Sequence, residues 1–272
     1  MIIVDSHVHF YGSFDLSGFL ESAYTNFMVE ARRRGKGDFD GVLLLTERVQ
    51  DNWFNQIRQD NEFFRSLQKS TSRIWTLQPT EENISLIAEG PAGERIFIVS
   101  GRQVVTAEKL ELLVLFTDRN FENGLSFREL VRDVNEEGEV AVIPWGTAKW
   151  LGKRGRFLKE FLINQGEVRF FLGDNGGRPN FWPEPSHFKL ARQRGVSILH
   201  GTDPLPLAGE ANRPGSFGFF IRDTLSSETP AKELKEILVT QENEIENYGN
   251  FESGYRFLVN QLLLRLPGRR SF

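Results

Sequence analysis

Ile2-Ile3-Val4-Asp5-Ser6-His7-Val8-His9 opens the chain, and its reading decides the fold. A short apolar run bounded by polar residues reads as a buried strand, so Ile2 to Asp5 is the first predicted strand. His7 and His9 follow at alternate positions and can project toward one point. The same pattern recurs twice: Gly173-Asp174-Asn175 follows Val168 to Leu172, and His200-Gly201-Thr202-Asp203-Pro204 follows Val196 to Leu199. In a parallel β/α barrel the C-terminal strand ends converge on one rim, and that rim carries the chemistry. Imidazole nitrogens and carboxylate oxygens gathered there suit a divalent ion such as zinc, manganese or iron.

Moving outward, Leu16 to Arg33 reads as a helix with Phe19, Leu20, Ala23, Phe27 and Ala31 on one face. Gly41 to Thr46 is a second buried strand, and Asn52 to Leu67 a second helix. From Arg73 to Phe116 short apolar runs are split by turns with no helix between them, which predicts a hairpin or meander insertion around 73–117. Ser126 and Glu129 form a predicted capping box. Val140 to Pro144 is a strand. A further helix runs from Pro185 to Arg194, with Gly195 as its stop. Helices also begin at Thr229-Pro230 and at Ser253. The expected architecture is α/β: residues 1–272 as a single-domain (β/α) barrel, TIM-like or a distorted seven-stranded variant. The Pro- and Gly-rich loop from Thr202 to Gly218 is expected to cover the rim.

Composition narrows the function. The chain has no cysteine, which excludes disulfides, thiolate zinc sites and a thiol nucleophile. A formal net charge of −4 offers no basic field for nucleic acid, and no run approaches a membrane span. The expected partner is a small-molecule substrate, with no nucleic acid and no membrane, in a cytoplasmic protein of undetermined oligomeric state. The cluster Arg32, Arg33, Arg34 and Lys36 reads as a solvated helix end.

At this point IVDSHVHF (3–10) resembles the first-strand signature of the amidohydrolase superfamily and of the polymerase-and-histidinol-phosphatase (PHP) domains. LHGTDPLP (199–206) resembles the last metal-ligand strand of either family. The resemblance implies a metal-dependent hydrolase, TIM-like or PHP-like, in which His7, His9 and Asp203 are ligands and Asp203 is also the general base. The chain departs from the PHP pattern in its middle. Gln103 stands where a glutamate is expected, Glu111 about where a histidine would fall, and Ile143 precedes Pro144 where the pattern has His-Pro. One or two ions are therefore expected rather than three.

His200 and Asp174, at neighbouring strand ends, are further candidate ligands. For His200 packing beneath the rim is the competing reading, and for Asp174 an Asp-Asn-Gly turn. Arg178 and Arg213 are candidates for a substrate phosphate or carboxylate, against a role as loop anchors. Glu47 and Lys149 read as solvated charges. The substrate is a phosphoester or an amide. The rival reading is a barrel with a degenerate metal site that binds a ligand or partner without turnover.

Overall fold

The computed structural model describes residues 1–69, 73–240 and 244–265. Strand β1 (Ile2–Val8) leads through helix α1 (Leu16–Arg33) to β2 (Asp40–Leu45) and the two-residue β3 (Glu47–Arg48). Helices α2 (Trp53–Gln59) and α3 (Asn61–Ser66) precede five strands in succession: β4 (Thr76–Pro79), β5 (Ser85–Glu89), β6 (Arg95–Val99), β7 (Gly101–Val105) and β8 (Glu111–Leu115). Alternation then resumes with α4 (Phe127–Glu136), β9 (Val140–Pro144), α5 (Gly152–Ile163), β10 (Phe171–Asp174), α6 (Ser186–Gln193) and β11 (Ile198–His200). The chain ends in β12 (Gly218–Ile221), α7 (Pro230–Thr240), β13 (Glu246–Tyr248) and α8 (Gly254–Leu263).

The described strands form no closed barrel. They fall into a seven-stranded mixed sheet, β13-β12-β1-β2-β6-β5-β4, and a six-stranded one, β11-β10-β9-β8-β7-β3. The segment predicted as an insertion is the reason. Rather than standing apart, it supplies central strands: β6 pairs parallel with β2, and β7 parallel with β3. Strands β2 and β3, and likewise β6 and β7, form one path interrupted by a single residue, Thr46 or Ser100, where it crosses from the first sheet to the second. Strand β8 is antiparallel to both β7 and β9, which breaks the all-parallel ladder that a (β/α) barrel needs.

The interior between the sheets is filled by Ile2, Val4, Val42, Leu44, Phe97, Val99, Leu113, Val142 and Leu199. Helix α1 covers the outer face of the first sheet with Phe19, Leu20, Ala23 and Phe27. Leu130, Val134, Leu158, Phe161 and Phe188 from α4 to α6 cover the second. Two local expectations change. The helix expected over 52–67 breaks at Asp60, which is extended (φ −132°, ψ 100°) and caps α3 by accepting from the Glu62 and Phe63 amides. Ser126 makes no side-chain cap, and the Glu108 carboxylate accepts the Phe127 amide instead. Among the described residues no helix is long and apolar enough to cross a membrane.

Glu47 is not a solvated charge. It is buried against the equally buried Arg102, with Arg102 Nη1 2.8 Å from Glu47 Oε2, and its other oxygen accepts the Phe54 amide at 2.7 Å. The pair ties β3 to β7, where the two crossing paths enter the second sheet. Removing one partner of a buried pair strands the other charge in the interior. Glu47→Ala is therefore expected to cost about 3–5 kcal/mol in urea unfolding. A cost below about 1 kcal/mol would show that this pair is not what holds the crossing.

Candidate metal centre

The site begins with a register shift. Along β1, Ile2 and Val4 face the interior while Ile3 faces the α1 side. Unbroken alternation would send His7 and His9 outward with Ile3. The β1–β2 register slips between Asp5 and Val8, and Val8 joins the outer cluster. That bulge-like slip re-aims His7 and His9 inward, as bulges commonly do beside functional sites.

Asp5 then fixes the strand end to the far side of the site. It is fully buried, and its carboxylate accepts four hydrogen bonds: the Thr202 amide at 2.8 Å, the Thr202 hydroxyl at 2.6 Å, the Gly215 amide at 2.9 Å and the His7 amide at 3.3 Å. Burial pushes its pKa up to about 6, although every one of those donors favours the ionised form. Next to this clasp, the Asp203 amide donates to His7 O at 2.7 Å and the Ser6 hydroxyl to His200 O at 2.8 Å. Only glycine fits at 201, since a Cβ there would lie 2.3 Å from His7 N. Asp203 itself sits at φ 43°, in the left-handed region that costs a non-glycine residue energy.

Four donor atoms converge as a result. His7 Nε2 and His9 Nε2 lie 3.1 Å apart, and Gln103 Oε1 is 3.3 Å from the first and 3.1 Å from the second. Asp203 Oδ1 is 3.5 Å from both rings. A tetrahedron with metal–ligand bonds of 2.0–2.1 Å has edges of about 3.3–3.4 Å, so these five separations match the spacing of ligands around one ion. The electrostatics agree. Burial and repulsion from His7 lower the His9 pKa to about 4, leaving a neutral imidazole. Burial alone would raise Asp203, but His7, His9, Lys149 and the Asn175 amide hold it well below the usual carboxylate range. Neutral imidazole and ionised carboxylate are the forms that bind a metal. Asn175 Nδ2 donates to Asp203 Oδ2 at 2.8 Å and so orients the carboxylate.

Of the residues expected from sequence, His7, His9 and Asp203 are brought together, and among the described residues they form one candidate metal-holding group. His200 is elsewhere: its ring stacks on Phe217 with centroids 4.1 Å apart, and Nδ1 lies 3.2 Å from Tyr248 O. Asp174 is paired with the buried Arg178, whose guanidinium also lies 3.9 Å from the Phe251 ring centroid. Arg213 is held 3.1 Å from both Glu210 and Glu252. The 202–218 loop forms a wall, anchored by Asp5 at Gly215 N and by the Tyr248 hydroxyl at Gly215 O. In sequence Gln103 reads only as a lost glutamate, and nothing there marks Asn175 as the partner of Asp203. Gln103 lies on β7 three residues past Ser100, where the path switches sheets, and that switch is not marked in the sequence.

Beside Asp203 lies a cavity of about 260 Å³, walled by Trp145, Lys149, Asn175 and Arg213 and roofed by Phe257 and Asn260 of α8. The Asp203 side chain keeps 23% of its exposure, so the metal-facing group is reachable.

No protein-family model matches the chain, and no curated protein does. Solved structures match in shape. PsfC from Pseudomonas syringae PB-5123 aligns at 12% identity and a TM-score of 0.51, covering 97% of this chain and 97% of that one. The lesion-specific endonuclease PfuEndoQ from Pyrococcus furiosus aligns at 12% identity and a TM-score of 0.54, covering 98% of this chain and 67% of that one. An endonuclease Q complex with a 27-mer duplex bearing an abasic lesion aligns at 0.48, too weakly to carry an argument. At these identities the likeness is one of fold alone. It also corrects the exclusion of nucleic acid. An endonuclease has this fold, and a net charge of −4 sums over a whole surface, whereas phosphate recognition needs only local cations.

The lowered His9 pKa has a measurable consequence in metal-free protein. Between pH 6.5 and 4 the unfolded chain protonates this histidine while the folded chain does not, so folded His9 loses stability as pH falls. Asp5 titrates over much of the same range with opposite sign, but it is common to wild type and His9→Gln and cancels in their difference. In chelator, wild-type stability relative to His9→Gln is expected to rise by up to about 3 kcal/mol from pH 4 to pH 6.5. A flat difference would show that His9 titrates normally.

Proposed function

We propose that this chain is a metal-dependent hydrolase of phosphoesters, with one divalent ion held by His7 Nε2, His9 Nε2, Gln103 Oε1 and Asp203 Oδ1. The observation that carries the reading is the convergence of those four atoms, with Gln103 Oε1 and Asp203 Oδ1 each within 3.5 Å of both histidine Nε2 atoms. When bound, such an ion supplies Lewis-acid polarisation of the phosphoryl group and acidifies the attacking water.

The rest falls to the chain. Two neutral rings, a neutral amide and one carboxylate leave a divalent site with net positive charge, which favours an anionic ester over a neutral amide. The fold shared with a lesion-specific endonuclease points the same way, and nucleic-acid phosphodiesters belong among the candidate substrates. Asp203 is the carboxylate of the cluster and takes the proton released by the attacking water. Asn175 holds its other oxygen, so the base does not rotate out of line. Asp5 touches no substrate: it positions His7 and the 201–215 segment. The reading of a scaffold without turnover is not preferred, because four donor atoms still converge although other expected ligands are replaced.

The test is hydrolysis of an aryl phosphodiester, an aryl phosphomonoester, single- and double-stranded oligonucleotides and a cyclic amide, each with and without Mn2+ or Zn2+. Turnover of a phosphoester is expected to require the metal, to stop in chelator and to fall by more than about 100-fold in Asp203→Asn. Turnover that survives chelation, or that occurs only on the amide, would contradict the proposal.

A further inference from the structure

Lys149 had read as an ordinary surface charge, in AKWLGKRGR. The structure places it on the wall of the 260 Å³ cavity that adjoins Asp203. It is carried there by a turn immediately after β9. The Lys149 amide donates to Gly146 O at 2.9 Å, and Ala148 is held in the left-handed region at φ 64°. A non-glycine residue adopts that conformation at an energetic cost, so an observed outlier beside a functional cavity calls for a functional reading. The turn folds the lysine stem back across Gly146, where a Cβ would fall 2.5 Å from Lys149 Cδ. A residue meant only for solvent has no need of that path.

The cations near the cavity differ in what they have left to offer. Arg213 is 9% exposed and lies between two carboxylates. Arg178 is 5% exposed and committed to Asp174. Lys149 is 40% exposed, and Glu111 Oε1 is the carboxylate partner of its ammonium. An ammonium has three donors, and among the described residues Glu111 is the one hydrogen-bond partner shown for it.

We infer that Lys149 is a substrate-binding residue that seats the anionic oxygens of a phosphoryl group beside the metal site. This deepens the hydrolase reading and rests on it. The cavity is smaller than the 300–1,000 Å³ of sites that enclose drug-sized ligands. It therefore accommodates the reacting phosphoryl group and a small substituent, and any longer substrate extends outside it. A compact ammonium binds phosphate as a point charge, so arginine should substitute in part and a neutral isostere should not.

The test uses inorganic phosphate as the probe, titrated by calorimetry into Mn2+-loaded wild type, Lys149→Met and Lys149→Arg, with Mn2+ affinity measured separately by electron paramagnetic resonance. The expected result is a phosphate Kd at least ten-fold weaker in Lys149→Met. Mn2+ affinity and melting temperature should stay close to wild type, and Lys149→Arg should recover most of the phosphate affinity. Phosphate affinity within two-fold of wild type in Lys149→Met would overturn the inference, as would absence of phosphate binding to the Mn2+-loaded wild type. Parallel loss of Mn2+ and phosphate in that variant would also overturn it, by showing a structural role. If the wild type takes up no Mn2+, the hydrolase reading itself fails and this inference falls with it.

Discussion

The buried carboxylate of Asp5 is the constraint on which the site depends. It sits between the end of β1 and the segment that follows β11, two parts of the chain that share no ladder. Its four donors come from both sides: His7 on one, Thr202 and Gly215 on the other. An ionised carboxylate is purely an acceptor, and here every neighbour is a donor, so the hydrogen-bond pattern fits the anion. Burial opposes that state strongly enough to raise the pKa to about 6. The site is thus held by a group that is costly to bury and more costly to leave unpaired. The Asp203 amide bond to His7 O follows from the same juxtaposition, and so does the strained backbone at Asp203.

From that clasp the donor geometry follows in sequence. The register slip after Asp5 turns both histidines inward, and Gly201 lets the returning chain approach within contact of His7. Strand β7, having crossed into the second sheet, brings Gln103 to the opposite side. An amide in that position accepts a metal through its oxygen but contributes no charge. In the proposed reading a divalent ion there would face a single negative charge, and the surplus positive potential would suit an anionic substrate. Lys149 extends that potential into the neighbouring cavity.

Much of this is legible in the sequence. His7 and His9 stand out because two imidazoles at alternate positions follow a short apolar run, and Asp203 because it follows another. Helix α1 was readable from its apolar face, with the bounds Leu16–Arg33 that the structure gives. The five consecutive strands over 76–115 were misplaced for a physical reason: apolar runs without helices look like an appendage, and nothing local says that two of them lie beside β2 and β3. Strands β12 and β13, of four and three residues, were too short to carry a pattern. The roles of Asp174 and Arg178 were hidden because a pair four residues apart in a loop satisfies itself internally. Gln103 and Lys149 were passed over for opposite reasons, one as a loss of charge and the other as surplus charge.

The most direct test of the central claim is an anomalous-difference map from crystals grown with Mn2+ or Zn2+. The account predicts one strong peak, within about 2.0–2.2 Å of His7 Nε2, His9 Nε2, Gln103 Oε1 and an Asp203 oxygen. Two or more peaks of comparable height in the site, or a single peak from which Gln103 is absent, would contradict it.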